Sequence, residues 1–240
     1  MLIASGRPSS NGRYTEIIDL EDPSFTCSKV NKFPIDKYYA TGGLVGQTPF
    51  ICGGTSGYSR ACYTLLENGV WKEDKTAVLN TGRNRAAYGS VIINGKLVLA
   101  SGLGSSGRVS SIEVVAPNTR SRTLSINVPV AVTRACIVLW DANTFLLIGG
   151  SDSQSSSRRE TYLINIDNNT ISNGPKLLRG RYRHGCQKVT VNGESFIIVA
   201  GGTGGAERST EVLSVANYRN GWKNGKIWIC LKVLKNLALM

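Results

Sequence analysis

The stretch "FLLIGG", residues 145–150, is a short apolar run that ends on two glycines, and it predicts a buried strand followed by a turn. Similar stretches occur elsewhere as "LIASG" (2–6), "FICGG" (50–54), "LVLASG" (97–102) and "FIIVAGG" (196–202). Their last glycines are Gly6, Gly54, Gly102, Gly150 and Gly202, at steps of 48, 48, 48 and 52 residues. A repeat of this length indicates an architecture built from similar structural units.

Each unit contains further strand signals. A second apolar run follows each glycine ending after a small, polar stretch: "TEIIDL" (15–20), "CYTLLE" (62–67), "IEVVAP" (112–117), "TYLINI" (161–166) and "TEVLSV" (210–215). Asn94-Gly95 and Asn192-Gly193 lie between apolar runs, where Asn-Gly favours a tight hairpin. No stretch shows sustained helical periodicity with caps. Each unit is therefore predicted to be a four-stranded antiparallel sheet.

Such short sheets need neighbours that cover their faces, and four-stranded units of this length stack radially in β-propellers. The glycine endings suit that arrangement, because glycine tolerates positive φ and close backbone approach. The predicted structural glycines are Gly6, Gly53, Gly54, Gly102, Gly149, Gly150, Gly201 and Gly202.

The units resemble the kelch repeat. The pattern of a basic residue, a small-residue strand and an apolar strand ending in Gly-Gly is followed by "RAAYGSVIINGKLVLASG" (85–102), "RACIVLWDANTFLLIGG" (134–150) and "RHGCQKVTVNGESFIIVAGG" (183–202). The later half, which ends in Trp, is present in "STEVLSVANYRNGW" (209–222). Ser5 and Ser101 replace the first glycine of the pair in two units, and the third and fourth units lack the Trp.

The resemblance implies an all-β, kelch-type β-propeller of about five four-stranded antiparallel blades. The predicted blades cover approximately residues 1–33, 37–80, 85–128, 134–178 and 183–223, and a divergent tail covers 224–240. Kelch propellers typically close with six blades, and six repeats of 48 residues need more than the 240 present. Two interpretations stay open: a fragment or truncated isoform with an unrelated tail, or "IWICLKV" (227–233) supplying the missing first strand of blade one. An open ring would expose sheet surface, which favours self-association.

The net charge of +12, from 28 basic and 16 acidic residues, favours acidic partners. No zinc-finger spacing, aromatic RNA platform or recognition helix is present, so nucleic acid is not the expected partner. An acidic peptide suits the densest basic cluster, "KLLRGRYRHG" (176–185), better. No run has the length of a membrane span.

The six cysteines show no C-x-x-C spacing and no scaffold pattern. Cys52, Cys136 and Cys186 are therefore predicted to be free, buried and to pack as small apolar residues. The stretch "MLIASGRPSS" shows no secretory signal, which favours the cytoplasm, and a longer N-terminus would permit secretion. Asn168-Asn169-Thr170 is a glycosylation sequon that would matter only in a secreted protein.

The single histidine, His184, decides between an enzyme and a binding module. Some kelch-type propellers are copper oxidases of the galactose oxidase type, whose copper site needs two histidines, so no metal, cofactor or catalytic residue is predicted. The resemblance instead implies a non-catalytic module that presents loops to a protein or acidic peptide, as an adaptor for a partner. The alternative is a fragment of a galactose-oxidase-like or other kelch-type enzyme whose site residues lie outside this chain.

The predicted ligand-binding residues stand at or next to the start of each repeat. By resemblance, the basic residues there lie near the binding face, where arginine pairs carboxylates with two parallel hydrogen bonds. Arg158, Arg159, Arg179 and Arg181 would extend the positive field. A structural role, as donors to carbonyls of neighbouring blades, is the alternative. The predicted set is Lys37, Arg85, Arg134, Arg183 and His184.

Overall fold

The computed structural model of the protein describes residues 2–4, 13, 15–18, 27–29, 31–54, 57–87 and 91–225. These residues form an all-β structure with one 3-10 turn at Tyr218–Asn220, and they include no α-helix. The strands form four four-stranded antiparallel sheets, one three-stranded sheet and a two-stranded ribbon, and none of these sheets is closed. This arrangement is consistent with a propeller-like all-β fold.

The sheets are numbered along the chain, and each is built from strands that follow one another in sequence. Sheet I contains β1 (Leu2–Ala4), β2 (Thr15–Ile18) and β3 (Cys27–Lys29). Sheet II contains β4 (Thr41–Val45), β5 (Thr48–Cys52), β6 (Ala61–Leu65) and β7 (Trp71–Val78). Sheet III contains β8 (Ile92–Ile93), β9 (Lys96–Ala100), β12 (Ser111–Val115) and β13 (Arg122–Asn127), with the ribbon β10 (Leu103–Gly104) and β11 (Gly107–Arg108) between β9 and β12. Sheet IV contains β14 (Cys136–Leu139), β15 (Thr144–Ile148), β16 (Thr161–Asn165) and β17 (Thr170–Asn173). Sheet V contains β18 (Gly185–Val191), β19 (Glu194–Ala200), β20 (Thr210–Ser214) and β21 (Lys223–Asn224).

The predicted class, all-β with four-stranded antiparallel sheets, is confirmed over the described residues. The blade boundaries and the blade count stay predictions. Residues 226–240, with the strand predicted at 227–233, lie outside the described residues, as does Gly6.

Both predicted Asn-Gly hairpins are present. Asn94 and Gly95 have φ of 50° and 67°, and Asn192 and Gly193 have φ of 51° and 79°. The flanking residues pair across the turns, Ile93 with Lys96 and Val191 with Glu194. Positive φ at both central residues is the type I′ geometry, whose twist matches that of the flanking strands.

The hydrophobic core lies between successive sheets. All five residues of β15 are buried, which explains why "FLLIGG" is apolar throughout rather than alternating. Phe145 and Leu147 belong to the cluster shared with sheet III, whereas Leu146 and Ile148 belong to the cluster shared with sheet V. The strand β15 thus packs against two neighbouring sheets at once.

The first strands of adjoining sheets contact each other: β4 contacts β8, and β14 contacts β18. Two buried tryptophans of the described residues link sheets to each other. Trp71 Nε1 donates to Thr15 Oγ1 of sheet I at 3.0 Å, and Trp222 Nε1 donates to the Pro175 carbonyl beyond sheet IV at 2.9 Å. Each indole therefore joins its own sheet to the preceding unit.

Sheet V has one less protected face. In β19, Ile197 and Val199 are buried towards sheet IV, whereas Phe196 and Ile198 are half-buried and Ala200 is exposed. The matching strand of sheet IV is buried on both faces. Within the described parts of the chain, no sheet follows sheet V.

The prediction of free cysteines is wrong. Cys52 and Cys62 form a disulfide between directly paired positions of β5 and β6. Cys136 and Cys186, which lie in the first strands of sheets IV and V, form a second disulfide with a Cα–Cα distance of 6.0 Å. The stacking brings these first strands side by side, so cysteines 50 residues apart in sequence meet without any short spacing signal.

Candidate binding face

A row of backbone hydrogen bonds crosses the stack at one end of the sheets. The N–H of Arg85 donates to the Tyr39 carbonyl at 3.1 Å, that of Arg134 to Arg85 at 3.1 Å, and that of Arg183 to Arg134 at 2.9 Å. We call Tyr39, Arg85, Arg134 and Arg183 the central row. Each comes from the connection that leads into one of sheets II to V, so four separate segments meet there.

All four residues of the central row have left-handed backbone conformations, with φ of 57°, 50°, 56° and 57°. This conformation is uncommon outside glycine and costs on the order of 1 kcal/mol or more per residue. Such strain persists only where the surroundings fix it, and it concentrates at functional sites. Here the hydrogen bonds between sheets fix the backbone of the central row, and they thereby fix the Cα positions from which the arginine side chains extend.

The glycine that ends the second strand anchors the neighbouring connection. Gly54, Gly102 and Gly150 donate their N–H groups to the carbonyls of Arg83, Val132 and Arg181, at 2.8, 2.9 and 2.8 Å. A Cβ at Gly150 would lie 2.9 Å from the Val132 Cβ and 3.0 Å from the Ala135 Cβ. The small residue therefore lets the connection approach closely enough to form the row.

The arginines of the central row differ in exposure. Arg85 and Arg134 are half-buried and Arg183 is exposed. The Arg85 guanidinium carbon lies 4.9 Å from the Tyr39 ring centroid, and that of Arg183 lies 5.9 Å from the Tyr182 centroid. Stacking on an aromatic face orients a guanidinium while leaving its edge for ligands. The structure therefore brings three of the predicted binding residues into one row.

Lys37 is not in the central row. Its side chain is fully buried, and Nζ lies 4.6 Å from the Tyr63 ring centroid. Burial lowers the pKa of Lys37 to about 8, although the negative charge of Glu73 acts to raise it. Tyr39 occupies the row position, two residues further along. The first hairpin varies in length between units, so spacing from the glycines does not resolve a shift of two residues.

The residue two positions before each row residue has a structural role. Arg83 and Arg181 are fully buried and form ion pairs with Glu113 and Glu211 on the third strand of the next sheet. Arg83 also donates to the Ser101 and Ser111 carbonyls, at 3.0 and 2.9 Å. Arg181, predicted to extend the positive field, is instead held inside the protein.

The other predicted surface arginines also contact protein groups. Arg158 pairs with Asp152 at 3.2 Å and with Glu160 at 3.0 Å. Arg159 Nε donates to the Leu177 carbonyl at 2.6 Å, and Arg179 Nη1 lies 3.4 Å from the Gly205 carbonyl. Arg158 is therefore paired with acidic side chains, and Arg159 and Arg179 donate to carbonyls. The central row is the set of predicted residues that one chain of backbone hydrogen bonds brings together.

His184 follows Arg183 and lies behind the row. It is 2% exposed, and neither ring nitrogen has a hydrogen-bond partner among the described residues. Burial, together with the nearby Arg181 charge, lowers its pKa to about 3. The imidazole is therefore neutral at pH 7, and in this conformation it does not reach a ligand in solvent.

The neutral His184 makes the fold sensitive to acid. The imidazole of His184 binds a proton near pH 6.5 in the unfolded chain, but only near pH 3 in the folded protein. The free energy of unfolding therefore falls as the pH falls through this range. The free energy of unfolding is expected to be about 2 kcal/mol lower at pH 5 than at pH 7. Urea unfolding at the two pH values measures this.

His184 is the only histidine, which makes the assignment testable. His184→Gln removes the titrating group, so the difference between pH 5 and pH 7 should shrink even if the variant is less stable overall. An undiminished difference in the variant would contradict the role given to His184.

The described residues contain no group of three or more His, Cys, Asp or Glu side chains that could hold a metal ion. None of their helices is long and apolar enough to cross a membrane.

No family model and no curated protein matches the chain. Among solved structures, that of YjhT is similar in fold, with a TM-score of 0.74. The match covers 89% of this chain and 78% of the YjhT chain at 12% sequence identity. At this identity the similarity concerns the fold alone.

Proposed function

We propose that the protein is an incomplete kelch-type β-propeller of five blades that binds a protein or an acidic peptide and catalyses no reaction. Sheets I to V are the blades in this proposal, and the central row lies at the binding end. The bound partner would be presented to other factors, as in an adaptor. The observation that carries the proposal is the chain of hydrogen bonds that gathers Arg85, Arg134 and Arg183.

The chemistry of the central row favours carboxylate ligands. Three arginines lie in backbone segments that are hydrogen-bonded to one another. A guanidinium carries its donors in a planar fork that matches a carboxylate. Tyr39 adds an aromatic face beside Arg85. The net charge of +12 attracts acidic partners over a longer range.

The connections and loops at this end would surround a ligand. Isolated bridges join the connections that lead into sheets III, IV and V to the loop that follows the second strand of the same sheet, as in Thr133 with Ser151 and Tyr182 with Thr203. The loops and the row thus form one surface with a backbone supported from both sides. A ligand would meet ordered loops, which lowers the entropic cost of binding.

The half-exposed face of sheet V supports an incomplete ring. Phe196, Ile198 and Ala200 occupy positions whose counterparts in β15 are buried by a neighbouring sheet. In the proposal a further blade or a second copy of the chain would cover this face, so self-association is expected of the isolated chain.

A double variant tests the role of the row. Arg134→Ala combined with Arg183→Ala should weaken the binding of a fluorescent poly-glutamate peptide about tenfold, since charge-assisted hydrogen bonds are lost. The affinity of the unaltered protein for this peptide should also fall as the salt concentration rises. Fluorescence anisotropy in a salt series measures both effects.

The matched control is Arg120→Ala. Arg120 is exposed in the turn between β12 and β13, at the other end of the sheets. The Arg120→Ala variant removes a positive charge without changing the central row, so its affinity for the peptide should be nearly unchanged. If Arg120→Ala weakened peptide binding as much as the double variant, the binding would reflect only the net positive charge of the protein. Unchanged affinity in the double variant would exclude the central row from the binding site.

A further inference from the structure

We infer that Asn168 is a site of N-linked glycosylation and that the chain folds in a secretory compartment, where this modification occurs. The acceptor motif is Asn168-Asn169-Thr170. Asn168 and Asn169 lie in the turn between β16 and β17, and Thr170 is the first residue of β17. Asn168 and Thr170 are both exposed. A bulky oligosaccharide at Asn168 would therefore extend into solvent without displacing the core.

The turn holds the acceptor residues in a defined geometry. Asn165 Oδ1 accepts hydrogen bonds from the backbone N–H groups of Asp167 and Asn168, at 3.0 and 3.1 Å. Thr170 Oγ1 donates to Asn168 Oδ1 at 2.7 Å. The hydroxyl that the motif requires is thus bonded to the amide oxygen, so the amide nitrogen is the atom left for transfer.

The transfer joins a sugar to the side chain. The donor class is an oligosaccharide linked through a diphosphate to a polyprenyl lipid. A bond forms between Asn168 Nδ2 and the anomeric carbon of the sugar, the bond between that carbon and the diphosphate oxygen breaks, and the lipid diphosphate leaves. The lipid diphosphate takes the electron pair of the broken bond, the amide nitrogen releases one proton to solvent, and no oxidation or reduction takes place.

The compartment is inferred from the disulfides. Cys52–Cys62 and Cys136–Cys186 pair four cysteines, one bond within a sheet and the other between sheets. Structural disulfides form and persist in oxidising compartments and are rare in the cytosol. The eukaryotic secretory pathway both forms disulfides and glycosylates Asn-x-Thr motifs, so two unrelated features of the chain indicate the same environment.

The position of Asn168 is compatible with ligand binding. The turn lies at the end of sheet IV opposite the central row, beside the Asn94-Gly95 turn of sheet III. Asn94 Nδ2 lies 3.2 Å from Asp167 Oδ1, the residue before the acceptor. A glycan there would cover the far end of the sheets and leave the row open.

The test uses the full chain translated behind a cleavable secretory signal in the presence of microsomes. Protease protection isolates the translocated protein, and digestion with a peptide N-glycosidase then reveals a glycan as a mobility shift. The shift is expected for the unaltered chain and for Thr170→Ser, which keeps the hydroxyl. It should be lost in Asn168→Gln and in Thr170→Ala.

Asn118→Gln is the matched control, because Asn118 is exposed in the corresponding turn of sheet III and has no hydroxyl residue two positions later. This variant should be glycosylated like the unaltered chain. A translocated, protease-protected chain without a glycan would overturn the inference, and so would a shift that persists in Asn168→Gln. The free-thiol content of the translocated chain should show both disulfides formed, with or without the glycan.

Discussion

Arg83→Ala is expected to lower the free energy of unfolding by about 3–5 kcal/mol, because it leaves a buried carboxylate without its countercharge. Arg83 and Glu113 are both fully buried. Glu113 also accepts the backbone N–H groups of Asn80 and Thr81, at 2.7 and 3.0 Å, and the Ser121 hydroxyl at 2.6 Å. After loss of the guanidinium, only these neutral donors would stabilise the negative charge of Glu113. They compensate only part of the free energy that burial of this carboxylate costs.

The control is an exposed ion pair. Lys75 and Glu73 approach to 2.7 Å, with 79% and 36% of their side chains exposed. Lys75→Ala should cost less than about 1 kcal/mol, because solvent screens this pair. Urea unfolding of both variants gives the comparison, and similar losses would refute the importance assigned to the buried pair.

The chain itself suggests a variant that should recover stability. At the equivalent positions of sheet IV, Val132 and Tyr162 belong to one apolar cluster, so the connection there packs without charges. Arg83→Val combined with Glu113→Tyr copies that pair into sheet III. It should be more stable than Arg83→Ala, since replacing both members of a buried ion pair avoids an isolated charge.

Removal of the inter-sheet disulfide by Cys136→Ala with Cys186→Ala is expected to cost about 4 kcal/mol. The bond closes a loop of 50 residues, and the loss of chain entropy in the unfolded state grows with loop length. Cys136 is also buried in the cluster between sheets IV and V, so its sulfur contributes to packing. Denaturant unfolding of the oxidised proteins measures the difference.

The second disulfide provides the internal comparison. Cys52 and Cys62 are 10 residues apart, which predicts a smaller loss of about 3 kcal/mol for Cys52→Ala with Cys62→Ala. Both double variants remove one bond and two sulfur atoms, so the difference isolates loop length. A larger loss for the short loop would contradict the chain-entropy explanation. Reduction of the unaltered protein should destabilise it at least as much as either double variant.

The strand pattern could be predicted from the sequence because it depends on local signals. The apolar run that ends at Gly150 and the Asn-Gly turns at Asn94 and Asn192 specify strands and hairpins within a few residues. Arg85, Arg134 and Arg183 could be grouped because each begins a recognisable repeat. These features repeat with the period of the fold.

The contacts between sheets could not be predicted in the same way. The bond from Cys136 to Cys186 and the pair of Arg83 with Glu113 depend on how one sheet stacks on the next, which no local spacing encodes. Lys37 lies outside the central row for a related reason, because a shift of two residues changes a row position into a buried one. Burial of a charge is visible only when its partner on the neighbouring strand is known.

Neighbouring sheets in an open array hold one another, so a terminal sheet is supported from one side only. Among the described residues sheet V is such a member, and Cys136–Cys186 joins it covalently to sheet IV. The crosslink acts as a clamp at the C-terminal end of the array. Partial opening that would otherwise begin with sheet V must instead carry sheet IV with it, which makes the two a single cooperative unit.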